Sequence, residues 1–155
     1  MVLPTYAEHI AAVLQNQHTE INKTTQRIGV LLRHRPKPPL LGHQMSEVML
    51  LLKLLEEQLD YHFHVEARHG SLKEVREVFP RLAGVITKTE NEHPQLLEDL
   101  DSVWRAASAL SKPKSGELAG LERKFKTFLN RLNRHQQKEN RIIQDAYNFD
   151  IGAGD

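Results

Sequence analysis

The feature that most constrains this chain is its division into four long segments with helical periodicity. Apolar residues recur at steps of three and four in each segment, and none shows the alternation that is typical of β-strands. Four such helices in 155 residues predict an all-α fold, an up-and-down four-helix bundle that forms one domain over residues 1–155. The segments run from just after Pro4 to about Arg33, from about Gln44 to Arg68, from about Arg81 to Leu110 and from about Glu117 to Tyr147.

Proline and glycine predict where these helices end. The prolines at 36, 38 and 39 stop the first segment, and a short helix can form between Gly70 and Pro80. Pro94 lies inside the third segment, which predicts that a helix restarts there with His93 at the bend. Residues 111–116 form a polar loop, and we expect residues 148–155 to be irregular.

The overall composition excludes several classes of protein. The chain has no cysteine, so disulfides and thiolate metal sites are impossible, and any metal must be held by imidazole and carboxylate. Its 21 basic and 20 acidic residues give a net charge of +1, which argues against a nucleic-acid or membrane-surface partner. No apolar run reaches the roughly 20 residues of a membrane span, and the first residues lack the pattern of a signal peptide. We therefore expect a cytoplasmic protein.

One histidine replaces an apolar residue on the core-facing line of each predicted helix. These residues are His18, His62, His93 and His135. In the second and fourth helices a glutamate follows four positions later, at Glu66 and Glu139, and so shares the inward face. Burial of ionisable groups costs free energy unless a partner such as a metal ion satisfies them.

Four imidazoles and two carboxylates form a ligand set that first-row metals such as iron, manganese or zinc accept. Six protein ligands exceed the needs of one tetrahedral zinc ion but leave open positions on two iron ions, so the pattern predicts a two-metal site in the bundle core. His9 and His64 fall on the outer faces of their helices. His69 returns to the face of His62 and is a candidate additional ligand or supporting group.

The same residues, taken in chain order, resemble those of hemerythrin-like proteins of the HHE cation-binding class. The resemblance rests on His18, on His62-Phe-His-Val-Glu66, on Glu92-His93-Pro-Gln-Leu-Leu and on His135-Gln-Gln-Lys-Glu139. It implies that His18, His62, Glu66, His93, His135 and Glu139 ligate a non-haem di-iron centre, with Glu66 and Glu139 as bridges. It also implies a small-molecule ligand such as dioxygen, and another first-row divalent metal is compatible with the set.

Two departures from the oxygen-carrying hemerythrins bear on function. Where those proteins place a second histidine four residues after the one in the third helix, this chain has Leu97, and Asn140 stands where they use an aspartate. These differences argue against reversible oxygen carriage and leave sensing, the handling of iron or oxidants, or a role linked to nitric oxide open. An enzyme-like role in peroxide turnover or in the repair of metal centres is one alternative, and a metal-free structural bundle is another.

A ferritin-like di-metal fold is a competing interpretation, because its signature is Glu-x-x-His. The strings Glu66-Ala-Arg-His69 and Glu90-Asn-Glu-His93 match it. Glu90 leaves the apolar line of its helix, however, and this interpretation gives no role to the histidines of the first and fourth helices. The sequence therefore favours the hemerythrin-like pattern.

Overall fold

The computed structural model describes the backbone of residues 3–37, 40–68, 71–110 and 113–153. Side chains are described for residues 8–9, 11–37, 40–65, 72–110, 113–114 and 116–148. The described backbone contains six α-helices, one 3-10 turn at Pro80–Leu82 and no strand, so the predicted all-α class is confirmed. The helices are α1 Leu3–Arg33, α2 Leu40–Arg68, α3 Ser71–Val78, α4 Ala83–Glu90, α5 His93–Ser108 and α6 Ser115–Ala153.

The four longest helices pack in a ring in which each contacts two neighbours. α1 packs on α2 and α6, and α5 packs on the same two helices. Neighbouring helices run antiparallel, because residue numbers rise along one helix while those of their contacts fall along the other. The contacts that show this are Gln17–His62 and Arg27–Glu47 between α1 and α2, and Phe63–His93 and Lys53–Trp104 between α2 and α5. The contacts of α6 are Asp99–Arg131 with α5, Glu92–His135 just before α5, His18–Glu139 with α1 and Arg35–Glu122 just after α1.

The predicted count of four helices needs correction, since the third segment is divided and α3 is additional. The amide of Asn91 donates to the carbonyl of Thr87 as α4 ends, and α5 begins at His93 with Pro94 in its first turn. Proline has no amide hydrogen to donate, so it is tolerated in a first turn but not in a continuous helix. The predicted restart with His93 at the bend is what the structure shows.

The prediction of an irregular C-terminal tail was wrong. α6 continues through Ala153. No proline follows Asn148, and a glycine inside a helix costs only about 1 kcal/mol relative to alanine. With no proline to stop it, and only this small cost at the glycine, a long helix that is already nucleated continues.

The buried side chains form two apolar clusters, and the histidines lie between them. The larger cluster fills the space between the four long helices and includes Leu59, Leu96 and Leu132. The smaller one joins α3 and α4 to α1 and α6, and its members are Leu14, Leu72, Val75, Leu82, Ile86, Ile142, Ile143 and Ala146. Each of α1 and α6 contributes to both clusters, and its histidine lies between the two contributions.

Across the described residues, no helix is long and apolar enough to cross a membrane.

Candidate metal centre

Four histidines and one glutamate are buried at the boundary between the two apolar clusters. His18 is 4% exposed, His62 2%, His93 8%, His135 1% and Glu139 0%. They come from α1, α2, the first residue of α5, and α6. The helical periodicity explains this arrangement, because each residue occupies a core position of its own helix.

Glu139 is the residue on which three of the histidines converge. Its Oε1 lies 3.3 Å from His18 Nε2 and 3.2 Å from His135 Nε2, while its Oε2 lies 3.3 Å from His62 Nε2. The candidate ligand atoms of His18, His62 and Glu139 all lie within 4.8 Å of one another. One carboxylate thus faces imidazole nitrogens from three helices.

The histidine rings form two pairs, and each pair has at least one member in contact with this carboxylate. The rings of His18 and His62 have centroids 5.3 Å apart, and those of His93 and His135 are 4.9 Å apart. Phe63 stacks on His93 at a centroid distance of 3.8 Å and 6° between the planes. His93 Nε2 is buried and has no hydrogen-bond partner among the described residues. Both pairs thus bring imidazole rings from different helices close together in the core.

The outer ring nitrogens of two histidines are occupied by residues from other helices. His135 Nδ1 lies 2.9 Å from Glu92 Oε1, and His62 Nδ1 lies 2.5 Å from Gln17 Oε1. A carboxylate or amide oxygen only accepts, so each Nδ1 carries the proton and donates. In the neutral tautomer each Nε2 is then an acceptor that faces another acceptor, the carboxylate of Glu139. Only a proton or a metal cation between them makes this arrangement favourable.

Burial and neighbouring charges shift the pKa values of His93 and His135 in opposite directions. Burial lowers the pKa of His93 to about 4, with a further contribution from His135. Burial also acts to lower the pKa of His135, but Glu139 and Glu92 outweigh it and raise that pKa. Burial acts to raise the pKa of Glu92, but hydrogen bonds from Lys138 and His135 outweigh it and lower that pKa. His93 is thus neutral near pH 7, and a neutral imidazole has one ring nitrogen with a lone pair that a cation can use.

The family model for the hemerythrin HHE cation binding domain matches residues 9–147. The chain belongs to this family. Among curated proteins and solved structures, none matches the chain significantly. Membership of the HHE family shows a cation-binding domain, and the buried histidine and glutamate cluster is the part of the structure with donors suited to a cation.

Two of the predicted residues fall outside what the structure describes. Glu66 lies in α2, one turn after His62, but its side chain is outside the described residues, as is all of His69. His9 and His64 are exposed, in agreement with their assignment to the outer faces. Leu97, at the position of the second histidine of oxygen carriers, packs against the larger apolar cluster of this HHE domain.

The structure also bears on the ferritin-like alternative. Glu90 pairs with Arg76 at 3.1 Å instead of facing the histidines. The Glu-x-x-His string that ends at His93 therefore does not supply a carboxylate to this site. The HHE pattern accounts for the arrangement of the described histidines, and the ferritin signature does not.

The sequence pattern assigned no role in the site to Gln17 or Glu92, although both contact its histidines. Each directly precedes a histidine of the site, so helical periodicity places it one step off the core line, where a solvated side chain is the usual expectation. Glu92 is the residue that precedes α5, and the break between α4 and α5 brings it to α6. The sequence predicts the break but carries no signal for this contact.

Proposed function

We propose that this protein is a non-haem di-iron protein that binds dioxygen or another small oxidant or ligand. The proposed ligands are the paired histidines, with Glu139 as one bridge and Glu66 as the other. The full set is His18, His62, Glu66, His93, His135 and Glu139. When bound, iron would supply redox and Lewis-acid chemistry at this buried position.

The convergence of three imidazole nitrogens on the carboxylate of Glu139 carries the proposal. Two of those histidines donate their Nδ1 protons to residues outside the cluster, which directs the Nε2 lone pairs towards the carboxylate. A cation relieves the resulting repulsion between acceptors. The unpartnered Nε2 of His93 supports the same conclusion, because a buried polar atom without a partner is costly unless a ligand satisfies it.

The residues around the cluster favour small, weakly polar ligands. Phe63 covers His93, and Leu14, Ile21, Leu59, Leu96, Phe128, Leu132 and Ile142 are buried at neighbouring levels of the four helices. This apolar shell restricts water and lowers the local dielectric constant, which tunes the potential of a bound metal and its affinity for small molecules. Leu97 contributes no ligand, so fewer protein donors surround the His93 and His135 pair than in the oxygen carriers.

Iron loading of matched histidine variants tests the proposed site. His62→Ala is expected to reduce iron bound after anaerobic reconstitution by at least about tenfold, since it removes a buried donor. His64→Ala is the control, because His64 lies two residues away on the same helix and is exposed. Iron is measured by elemental analysis after desalting. Equal loss in both variants would contradict the assignment of faces, and full loading of His62→Ala would contradict the site.

A further inference from the structure

Glu92 links the buried site to the protein surface through two contacts. Its Oε1 accepts a hydrogen bond from His135 Nδ1 at 2.9 Å, and its Oε2 accepts one from Lys138 Nζ. The His135 side chain is 1% exposed and that of Glu92 is 33% exposed. Lys138 is mostly solvated. The carboxylate therefore lies between a buried ring and a surface cation.

The two contacts fix the position of the carboxylate from opposite sides. Lys138 lies three residues after His135 on α6, so both partners of Glu92 are on one face of the same helix. The backbone of Glu92 is held as well, because its amide donates to the carbonyl of Thr89 and its carbonyl accepts from Leu96. Rotation of the His135 ring would break the bond to Glu92 inside a packed core.

We propose that Glu92 is a positioning residue for His135. It holds the proton on Nδ1, directs Nε2 towards Glu139, and makes the imidazole a stronger donor to a metal. This inference rests on the proposed function. Carboxylates that hydrogen-bond a metal-binding histidine commonly contribute roughly 10-fold to 100-fold to metal affinity.

The outer nitrogen of His62 has a neutral partner, whereas that of His135 has a charged one. Gln17 accepts the hydrogen bond from His62 Nδ1 through a neutral amide oxygen. The carboxylate of Glu92 is a charged acceptor and the amide of Gln17 is a neutral one, so a charged partner polarises the ring of His135 through Nδ1. Glu92→Gln gives His135 the same kind of partner that His62 already has.

The test compares ferrous-iron affinity in three variants by anaerobic competition with a chelator. Glu92→Ala is expected to lose roughly 10-fold to 100-fold in affinity and Glu92→Gln to lose less, because the amide still accepts the hydrogen bond. Asp99→Ala is the control. Asp99 pairs with Arg131 at 2.6 Å between the same two helices and contacts none of the buried histidines.

A second readout detects the hydrogen bond without any metal. In the metal-free wild type, the Nδ1 proton of His135 is expected to give a slowly exchanging signal in side-chain nitrogen-correlated proton NMR, and Glu92→Ala is expected to lose that signal. If wild type binds iron and Glu92→Ala binds it with the same affinity, the role of Glu92 is contradicted and the proposed function is not. Equal losses in Glu92→Ala and Asp99→Ala would contradict that role as well. A wild type that binds no iron would overturn the proposed function and this inference together.

Discussion

At the residue scale, the site depends on groups that cannot satisfy one another. The carboxylate of Glu139 and the Nε2 atoms of His62 and His135 are all acceptors when these two rings are neutral and donate through Nδ1. Burial removes the water that would otherwise separate them. A proton or a metal cation between these acceptors removes the repulsion, so binding of a metal is expected to release any proton held there.

His93 gives a pH dependence whose sign follows from its environment. Burial lowers its pKa from 6.5 to about 4. The unfolded chain therefore takes up this proton at a higher pH than the folded protein does, and His93 contributes stability above pH 6.5 that is lost as the pH falls towards 4. The raised pKa of His135 has the opposite effect, because its contribution to stability is present at low pH and is lost as the pH rises.

Comparison of wild type with His93→Leu isolates this effect. In the presence of a chelator, the free energy of unfolding of wild type relative to the variant is expected to fall between pH 7 and pH 4 by on the order of 3 kcal/mol. Urea unfolding followed by circular dichroism measures it. A difference that stays constant over this range would show that His93 is not buried as a neutral ring.

At the element scale, the break between α4 and α5 separates packing from the site. α4 contributes Ile86 to the smaller apolar cluster, and α5 starts with His93. Apolar periodicity identified the buried positions of α4 and α5 because steps of three and four keep one face inward. It could not identify the contact between Glu92 and His135, since that depends on how two helices cross at the turn.

The smaller cluster is expected to stabilise the fold without setting metal affinity. Ile86 is fully buried, so Ile86→Ala is expected to lower the free energy of unfolding by about 2–4 kcal/mol. The neighbouring Val85 is 43% exposed, and Val85→Ala is the control, with an expected change within about 0.5 kcal/mol. Urea unfolding of the metal-free variants measures both. Similar losses in the two variants would contradict the packing of α4.

At the scale of the whole molecule, the sequence predicted the class of fold and the faces of the long helices. His18, His62, His93 and His135 interrupt apolar lines that are otherwise complete, and this made them visible as candidates. Proline and glycine indicated the short helix α3 and the break before α5. The course of α6 beyond Tyr147 was not predictable, because helix ends depend on small propensity differences that tertiary packing overrides. The partners of the outer ring nitrogens lie off the periodic lines and required coordinates.

We propose that this bundle holds two iron ions at one buried site. The direct measurement is iron bound per chain after anaerobic reconstitution of wild type with ferrous iron, removal of unbound metal and elemental analysis. We predict about two equivalents, because the two histidine pairs, with Glu139 and Glu66, would offer donors to two ions. One equivalent would contradict the di-iron site, and less than about a tenth of an equivalent would contradict metal binding at this cluster.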